Sequence, residues 1–394
     1  MIKSQSFVNF DTTRVPSPCF VVDEVAIERN LKILNHLQVE SGAKVLLALK
    51  AFSMYSLAPL ISRYLTGTCA SGLYEARLGS EEFGGEVHTY SAAYTEAALE
   101  EILTISRHVV FNSFGQWQRF QPIIKQARQA RPELKFGLRI NPLHSENTAA
   151  IYDPCAPGSR LGIPYTEFSE LDSKSSLLDG ISGLHFHTLC EQNFAPLART
   201  LDVIEEQFAD LLPTLEWVNF GGGHHITRED YDIDALIQRI KHFQSKYGVQ
   251  VYLEPGEAIA IHTGVLVSEV LDLTHNNINL AILDTSATCH MPDTLEMPYR
   301  ADIFGAGEAG EKPHCYRLGG QTCLAGDVMG DYSFDQALSI GQRLMFDDMS
   351  HYTMVKTSTF NGIALPSIAI WNSSTDTLKI VRNFCYEDFK NRLS

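Results

Sequence analysis

The sequence contains no long apolar run. A membrane-spanning helix needs about 20 consecutive apolar residues, and no such stretch occurs among the 394 residues. Residues 1–20 also lack the basic and then apolar layout of a signal peptide. We therefore expect a cytoplasmic protein with no membrane partner.

Patterns for metals, disulfides and nucleotides are missing as well. The eight cysteines are scattered, with no CxxC pair among them, which favours reduced thiols over disulfides or a zinc finger. The phosphate-binding patterns GxGxxG and GxxxxGKS or GxxxxGKT do not occur. Neither a dinucleotide nor a nucleoside triphosphate is therefore indicated.

Basic side chains are the minority. The chain has 31 lysines and arginines against 47 aspartates and glutamates, and its formal net charge is −16. Such a charge disfavours nucleic acid and favours cationic ligands through long-range steering. Solubility alone also explains an acidic surface, and that alternative stays open.

Short apolar or β-branched runs are present and alternate with amphipathic stretches. The runs are Lys44 to Lys50, Gly67 to Ser71, Val87 to Ser91, His108 to Asn112, Lys135 to Asn141, Ile181 to His187, Glu216 to Phe220 and Val249 to Glu254. Helical spacing of Leu, Ile and Ala occurs in Ser53 to Tyr64, Ser71 to Phe83 and Thr95 to Ser106. This alternation predicts an α/β fold in which residues 25–262 form a (β/α)8 TIM barrel. An open doubly wound sheet shares the alternation and is the alternative.

After about residue 260 the pattern changes to strands and turns with few helices. The strand-like runs are Thr263 to Asp272, Leu280 to Leu283, His314 to Leu318, Arg343 to Phe346, Tyr352 to Val355, Ser367 to Ile370 and Leu378 to Arg382. Residues 1–24 and 263–394 are therefore expected to form a β-rich second domain, a β-sandwich or β-barrel.

Three polar side chains close barrel runs at their carboxyl ends, where barrel enzymes build active sites. Lys50 ends VLLALK, and an apolar setting would lower the pKa of its amine and make it a nucleophile. His187 closes GLHFH with His185 on the same face, and Glu254 closes VQVYLE before a rigid Pro-Gly corner. Taken singly, each has an ordinary explanation as a surface lysine, a core histidine or a salt-bridging carboxylate.

Two glycine-rich segments add further chemistry. Gly221, Gly222 and Gly223 follow EWVNF, and consecutive glycines let backbone N–H groups converge on an anion such as a phosphate. Cys323 lies in GGQTCLAGD beside Asp327, where a thiol is an available proton donor. A plain tight turn and a small buried cysteine are the structural alternatives.

Read in chain order, these motifs resemble the fold type III, or alanine racemase-fold, decarboxylases that use pyridoxal phosphate. The resemblance spans nearly the whole chain through PSPCFVVDE, ALKAF, HFH, GGGHH, EPGEA, GGQTCLAGD, HYTM and TFNG. Within that family, CASGLYEARLGSEEFGGEVHTYS and DTSATCHMPDTLEMPYR are most similar to carboxynorspermidine and carboxyspermidine decarboxylases. The relatives that act on ornithine and diaminopimelate usually read EPGR, whereas this chain has Glu257 in place of the arginine.

The resemblance implies a role for each site residue. Lys50 would hold pyridoxal phosphate as a Schiff base, Glu254 would face the ring nitrogen, and His187 would stack on the ring. The phosphate would lie against the glycine triplet and Tyr352. Cys323, from the neighbouring subunit of a homodimer, would return a proton to the product.

The resemblance also implies a carboxylated polyamine as substrate. Acidic side chains would bind its amines, and those expected to do so are Glu257, Asp293, Asp327 and, more weakly, Asp284. Each of these could equally be part of a solvated acidic face.

Three other functions compete with this one. A diaminopimelate or other basic amino acid decarboxylase, or a racemase, would share the fold, but Glu257 opposes a substrate with a distal carboxylate. A pyridoxal phosphate carrier would use the barrel without the β-rich domain. A metal-dependent hydrolase is the third, and its ligands would be His185, His187, His224 and His225.

Overall fold

The computed structural model describes residues 3–147, 150–171 and 176–394. The chain divides into two compact units, one made of Asn30–Ile259 and the other of Met1–Arg29 together with Ala260–Ser394. Each unit is described below by itself.

The described residues form 17 strands and 13 α-helices. The strands are β1 (Cys19–Asp23), β2 (Lys44–Ala48), β3 (Gly67–Ala70), β4 (Glu86–Tyr90), β5 (His108–Phe111), β6 (Lys135–Asn141), β7 (Ile163–Pro164), β8 (Gly183–His185), β9 (Trp217–Asn219), β10 (Gln250–Leu253), β11 (Gly264–Asn276), β12 (Ile278–Leu283), β13 (His314–Gly319), β14 (Val328–Phe334), β15 (Arg343–Asp347), β16 (Ser367–Asn372) and β17 (Thr377–Arg382). The helices are α1 (Glu24–Ser41), α2 (Ala58–Ile61), α3 (Leu73–Leu78), α4 (Glu96–Ile105), α5 (Phe114–Arg119), α6 (Gln121–Ala130), α7 (Tyr165–Ser169), α8 (Phe194–Gln207), α9 (Ile233–Tyr247), α10 (Glu257–Ala260), α11 (Ala287–His290), α12 (Asp293–Glu296) and α13 (Tyr386–Lys390).

Eight parallel strands of the first unit close into a barrel. The pairing runs β2–β3–β4–β5–β6–β8–β9–β10 and returns from β10 to β2, with β7 added outside β6. An open doubly wound sheet leaves two free edges, so this closure excludes it. The predicted TIM barrel is confirmed, and each of the eight predicted strands ends within two residues of an observed one.

Local sequence explains where the barrel helices begin and end. The side chain of Thr95 caps α4 by accepting a hydrogen bond from Ala98 N–H, and Asp232 caps α9 through Ala235 N–H. Helix α9 ends at Gly248, whose φ of 71° is a left-handed conformation that glycine adopts without strain. These capping residues satisfy backbone groups that a helix end leaves unpaired.

The interior of the barrel is filled around one large side chain. Trp217 is buried, and it packs with Leu46, Val110 and Tyr252 in the barrel core. Room for its indole comes from two neighbouring glycines, because a Cβ on Gly183 would lie 2.1 Å from the indole and one on Gly137 would lie 2.4 Å from it. The glycines are therefore required by packing at these positions.

The second unit contains one mixed sheet, in the order β14–β13–β12–β11–β1–β16–β17, with β15 also paired to β11. The N-terminal strand β1 lies at its centre, antiparallel to β11 and parallel to β16. Strand β11 is long enough to pair first with β1 and β15 and then, beyond an irregularity after Val270, with β12. The expected β-rich second part of the fold is confirmed in this form.

Two details of the second unit differ from the prediction. Tyr352 to Val355 is not a strand, because Tyr352 has a φ of +50° and the chain then turns into a 3-10 helix at Met354–Lys356. Strand β14 was not predicted, and its Gly330 has a φ of 139° that interrupts the usual strand pattern.

Within the ranges that the structure describes, none of the helices combines the length and the apolar character that crossing a bilayer requires.

We predict that Gly183→Ala destabilises the protein by about 2–4 kcal/mol, because the new methyl group would overlap the Trp217 indole in a closed core. Denaturant unfolding followed by tryptophan fluorescence measures this loss. Gly115→Ala in α5 is the matched control, since the nearest atom to its added Cβ is 4.0 Å away and alanine favours a helix. Equal stability of the two variants would contradict the packing argument.

Candidate active site

A pocket lies at the carboxyl ends of the barrel strands and holds about 400 Å³ of empty space, part of it continuous with solvent. Its lining residues are Ala48, Lys50, Cys69, Ala70, Ser71, Tyr90, Arg139, His185, His187 and Glu254. Three of the residues singled out from the sequence, Lys50, His187 and Glu254, are therefore brought together. This agrees with the rule that barrel enzymes place chemistry at this end.

Glu254 is a buried carboxylate that keeps its charge. Burial by itself raises the pKa of a carboxyl group, but here His185 and the Asn219 amide outweigh it and lower the pKa of Glu254 to about 2. The His185 Nε2 atom lies 3.3 Å from Glu254 Oε2, and Asn219 Nδ2 donates a 2.6 Å hydrogen bond to Oε1. The pocket thus has a fixed negative charge at one wall.

Lys50 follows β2 in a turn, and its side chain reaches solvent through the pocket although protein surrounds it on the other sides. Desolvation lowers the pKa of its amine, and the nearby Arg139 guanidinium lowers it further. A larger fraction of the amine is therefore neutral, which is the nucleophilic form.

The two histidines of HFH have different partners. His187 Nδ1 accepts a 2.9 Å hydrogen bond from Gly222 N–H, so a proton on a neutral ring lies on Nε2. Desolvation, followed by the charges of Lys50 and Arg139, lowers the pKa of His187 well below its ordinary value. His185 instead contacts Glu254, and its ring lies edge-on to Tyr90 with 5.5 Å between centroids.

The glycine triplet is wedged between neighbouring backbone segments. A Cβ would lie 2.4 Å from Phe186 O at Gly221, 2.2 Å from Glu254 O at Gly222 and 1.9 Å from Leu189 O at Gly223. Gly221 and Gly223 also have positive φ values of 71° and 82°. Because Gly221 N–H is bound to Asn219 Oδ1 and Gly222 N–H to His187, the loop is anchored to the pocket wall.

The pocket fits the cofactor that the resemblance implies. A lysine amine with a lowered pKa and an ionised carboxylate line the same cavity, as an aldehyde with a basic ring nitrogen requires. Among the described residues, the buried Nδ1 atom of His185, a residue that lines this pocket, has no hydrogen-bond partner. Buried polar groups are normally paired, so this atom suits a contact with a bound polar molecule.

Cys323 lies in the second unit on a loop that Asp327 organises. The thiol residue is exposed, and its N–H donates a 2.8 Å hydrogen bond to Asn361 Oδ1. Asp327 is buried and accepts hydrogen bonds from the Ser286 hydroxyl, from Thr288 N–H, and from both the N–H and the hydroxyl of Thr322. The Asp327 carboxylate is therefore occupied by the protein, which favours a structural role over binding of an amine.

The remaining residues predicted from the sequence in this unit are also engaged. Asp293 accepts a 2.7 Å hydrogen bond from Lys356 Nζ, and Asp284 accepts one of 2.8 Å from Glu269 N–H. Tyr352, expected near the phosphate, lies in the turn at positive φ described above. Their roles toward a ligand stay predictions.

The four histidines of the alternative metal site are not gathered around one point. His185 contacts Glu254, His187 binds Gly222, His224 Nδ1 lies 2.8 Å from the Tyr231 hydroxyl, and His225 Nε2 lies 3.1 Å from Glu257 Oε2. This arrangement also shows that the Glu257 carboxylate contacts the His225 ring within its own unit.

Among the described residues, a different group of metal-type ligands comes together at the amino ends of β4 and β5. Glu86, His88 and His108 have ligand atoms within 4.8 Å of one another. The two imidazoles are stacked with 3.9 Å between centroids, so their lone pairs run side by side instead of converging, and Lys44 and Tyr252 already bind the Glu86 carboxylate. We interpret this group as a buried polar network.

Sequence reasoning missed several pocket residues. Arg139 lies within β6 with its guanidinium 4.5 Å from the centre of the Tyr90 ring, and Cys69 lies within β3. Asn219 ends β9 directly before the glycines. A charged or amide side chain inside an otherwise apolar strand was the available signal, since such residues are seldom buried without a partner.

The fold and the pocket define a barrel enzyme that uses an aldehyde cofactor, and the chain belongs to the family described as pyridoxal-dependent decarboxylase, C-terminal sheet domain, which matches residues 19–350. Its cofactor is pyridoxal phosphate. A carboxyaminopropylagmatine decarboxylase of Synechocystis sp. is 44% identical over 96% of both chains. A carboxynorspermidine/carboxyspermidine decarboxylase of Campylobacter jejuni is 42% identical over 96% of this chain and 99% of its own.

Solved structures agree with this assignment. The crystal structure of carboxynorspermidine decarboxylase complexed with norspermidine from Campylobacter jejuni is 41% identical and superposes with a TM-score of 0.86, covering 96% of this chain and all of that one. A diaminopimelate decarboxylase from Helicobacter pylori superposes with a TM-score of 0.80 at 17% identity, which shows a shared fold.

We predict that Asp327→Ala lowers the free energy of unfolding by about 2–4 kcal/mol, because it leaves several buried donors without an acceptor. Thermal or denaturant unfolding measures the change. Asp331→Ala is the control: it breaks an exposed ion pair with Arg317 and should cost no more than about 1 kcal/mol. Unchanged stability together with a raised KM would instead support direct contact between Asp327 and the substrate.

Proposed function

We propose that this enzyme decarboxylates carboxynorspermidine or carboxyspermidine to norspermidine or spermidine. The observation that carries the proposal is the full-length similarity, at 38–44% identity, to enzymes named for carboxylated polyamines and for carboxyaminopropylagmatine. A pocket with the Lys50 amine and the Glu254 carboxylate in its walls supports the same chemistry.

Bound pyridoxal phosphate would accept the electron pair that the departing carboxylate leaves behind. Lys50 would link to the cofactor aldehyde, which its lowered pKa favours because the amine must be neutral to attack. Glu254 would keep a proton on the ring nitrogen, and its own charge is secured by His185 and Asn219. His187, held at Nδ1 by Gly222, is the predicted partner of the ring face.

The phosphate would lie against the glycine loop. Glu257 stands where relatives usually have an arginine, and the N–H groups of Gly221 and Gly222 are already bound to Asn219 and His187. Other backbone N–H groups and hydroxyls would therefore have to contribute more there. Thr188 directly follows His187 in the chain, and within the described part of the protein its buried hydroxyl has no hydrogen-bond partner, which makes it a candidate for such a contact. Tyr352 is the further predicted phosphate contact.

The charge of the protein suits a cationic substrate. A net charge of −16 favours encounter with a polyamine. Glu257, Asp284 and Asp293 are the acids we propose for its amines, each of which would have to exchange a present partner for the ligand. Asp327 is a weaker choice because its hydrogen bonds hold the Cys323 loop.

Diaminopimelate is the second candidate substrate, since enzymes named for it share the fold and 22–27% identity. Its distal carboxylate would meet Glu257 rather than an arginine. Like charges in a pocket of low polarity repel strongly, which favours the polyamine.

We also propose that the enzyme acts in the cytoplasm as a homodimer with active sites shared between subunits. Cys323 supports this, because an exposed thiol on an ordered loop is available to a second subunit. In that arrangement Cys323 would return the proton to the product after carbon dioxide has left.

Carbon dioxide release from a panel of substrates tests the activity. We expect carboxynorspermidine or carboxyspermidine to exceed diaminopimelate in kcat/KM by about 100-fold or more, because buried polar groups discriminate strongly against a wrongly charged ligand. Carboxyaminopropylagmatine belongs in the panel as well, and Lys50→Ala should abolish release from every member. Preferential turnover of diaminopimelate would contradict the assignment.

Mixing two inactive variants tests the shared site. Lys50→Ala and Cys323→Ala should each lose product formation, whereas random exchange of subunits should restore up to about 25% of the parent activity. Each variant alone, carried through the same exchange, is the control. A mixture that stays inactive although mass spectrometry detects hybrid dimers would contradict a site built from both subunits.

A further inference from the structure

One amide side chain links the Glu254 carboxylate to the glycine loop, Gly221 to Gly223. Asn219, at the end of β9, is buried with 1% of its surface exposed. Its Nδ2 atom donates to Glu254 Oε1 at 2.6 Å, and its Oδ1 atom accepts from Gly221 N–H at 2.8 Å. We propose that Asn219 is a positioning residue that holds the Glu254 carboxylate ionised and fixes it relative to the glycine loop.

The orientation of the amide follows from its neighbours. A backbone N–H can only donate, so the atom facing Gly221 must be the amide oxygen. The NH2 group then faces Glu254, which as a carboxylate can only accept. Both contacts are satisfied in one orientation and both are lost in the flipped one.

These two contacts need a donor and an acceptor on the same short side chain, and asparagine provides both. An aspartate has the same shape and could still accept from Gly221, but it could donate to Glu254 only if it were protonated. When ionised, it would place a second negative charge at hydrogen-bond distance from Glu254. Two carboxylates so close share a proton, which raises one pKa of the pair.

The same link reaches the other cofactor contacts. Gly222 N–H binds His187, and Glu254 N–H donates a 2.8 Å hydrogen bond to Gly221 O. A Cβ at Gly222 would lie 2.2 Å from the backbone oxygen of Glu254, so the loop packs directly against the backbone that carries the carboxylate. On the proposed function, Asn219 therefore sets the distance between the groups that face the ring nitrogen and the phosphate.

The first test uses the protein without cofactor, so that it does not depend on any substrate. In the parent, the pKa of Glu254 is lowered from its ordinary value of 4.5, and its contribution to stability is present above that value and lost as the pH falls toward about 2. In Asn219→Asp the carboxylate pair has a raised pKa, so its contribution is lost as the pH rises. The difference in Tm between variant and parent should widen from about pH 5 to about pH 8.

Two further variants separate charge from packing. Asn219→Ala removes both hydrogen bonds without adding charge, so between about pH 5 and pH 8 its Tm deficit should change much less with pH than that of Asn219→Asp. Asn30→Asp makes the same chemical change at another buried asparagine of this unit, which donates to Ile259 O. A carboxylate buried there also has a raised pKa, so this variant should lose Tm as the pH rises, but with a shallower slope than Asn219→Asp because it does not face a second carboxylate.

The second test measures the affinity of the cofactor-free variants for pyridoxal phosphate by fluorescence titration. Both Asn219 variants should bind it about tenfold more weakly, the weight of one hydrogen bond to a charged group. A pH-independent Tm difference for Asn219→Asp, or unchanged affinity in both variants, would overturn the inference. An error in the proposed substrate would appear only in the turnover assay and would leave these two measurements as expected.

Discussion

The pocket depends on a buried carboxylate that stays charged. Taking an anion out of water is costly unless donors replace the water, and around Glu254 those donors come from two different strands of the barrel. His185 ends β8, Asn219 ends β9 and Glu254 follows β10. These three strands are neighbours in the sheet, so their pairing brings both side chains to one carboxylate. The chemistry of the site is thus a direct consequence of strand order.

The sequence was informative where the signal is local. Barrel strands are short runs of apolar and β-branched residues between helices, and residues that end such runs share one face of a barrel, which is why Lys50, His187 and Glu254 were found. The predicted strand at Tyr352 failed because its apolar pattern carries no information on the positive φ that the turn requires.

Contacts between residues that are far apart in the sequence could not be predicted from local patterns. Asp327 looks like any acid in a loop, and its occupation by Ser286 and Thr288, about 40 positions away, becomes visible only in three dimensions. Asn219 was missed for the same reason. It stands between an apolar strand and three glycines, and its role depends on the contact with Glu254, which the local sequence does not reveal. Arg139 was overlooked although a buried guanidinium in a strand is rare enough to have been noticed.

Trp217 fills the interior of the barrel. Its indole fills the space left by Gly137 and Gly183, lies at a tilt to the His108 ring and is edge-on to the Tyr252 ring. The interior of such a barrel is a core packed with side chains rather than a pore, so the pocket is expected to open only at the carboxyl ends of the strands. A gas molecule set free beside Lys50 must leave by the entrance that admitted the reactant, and its escape therefore depends on how loosely the remaining amine fills that entrance.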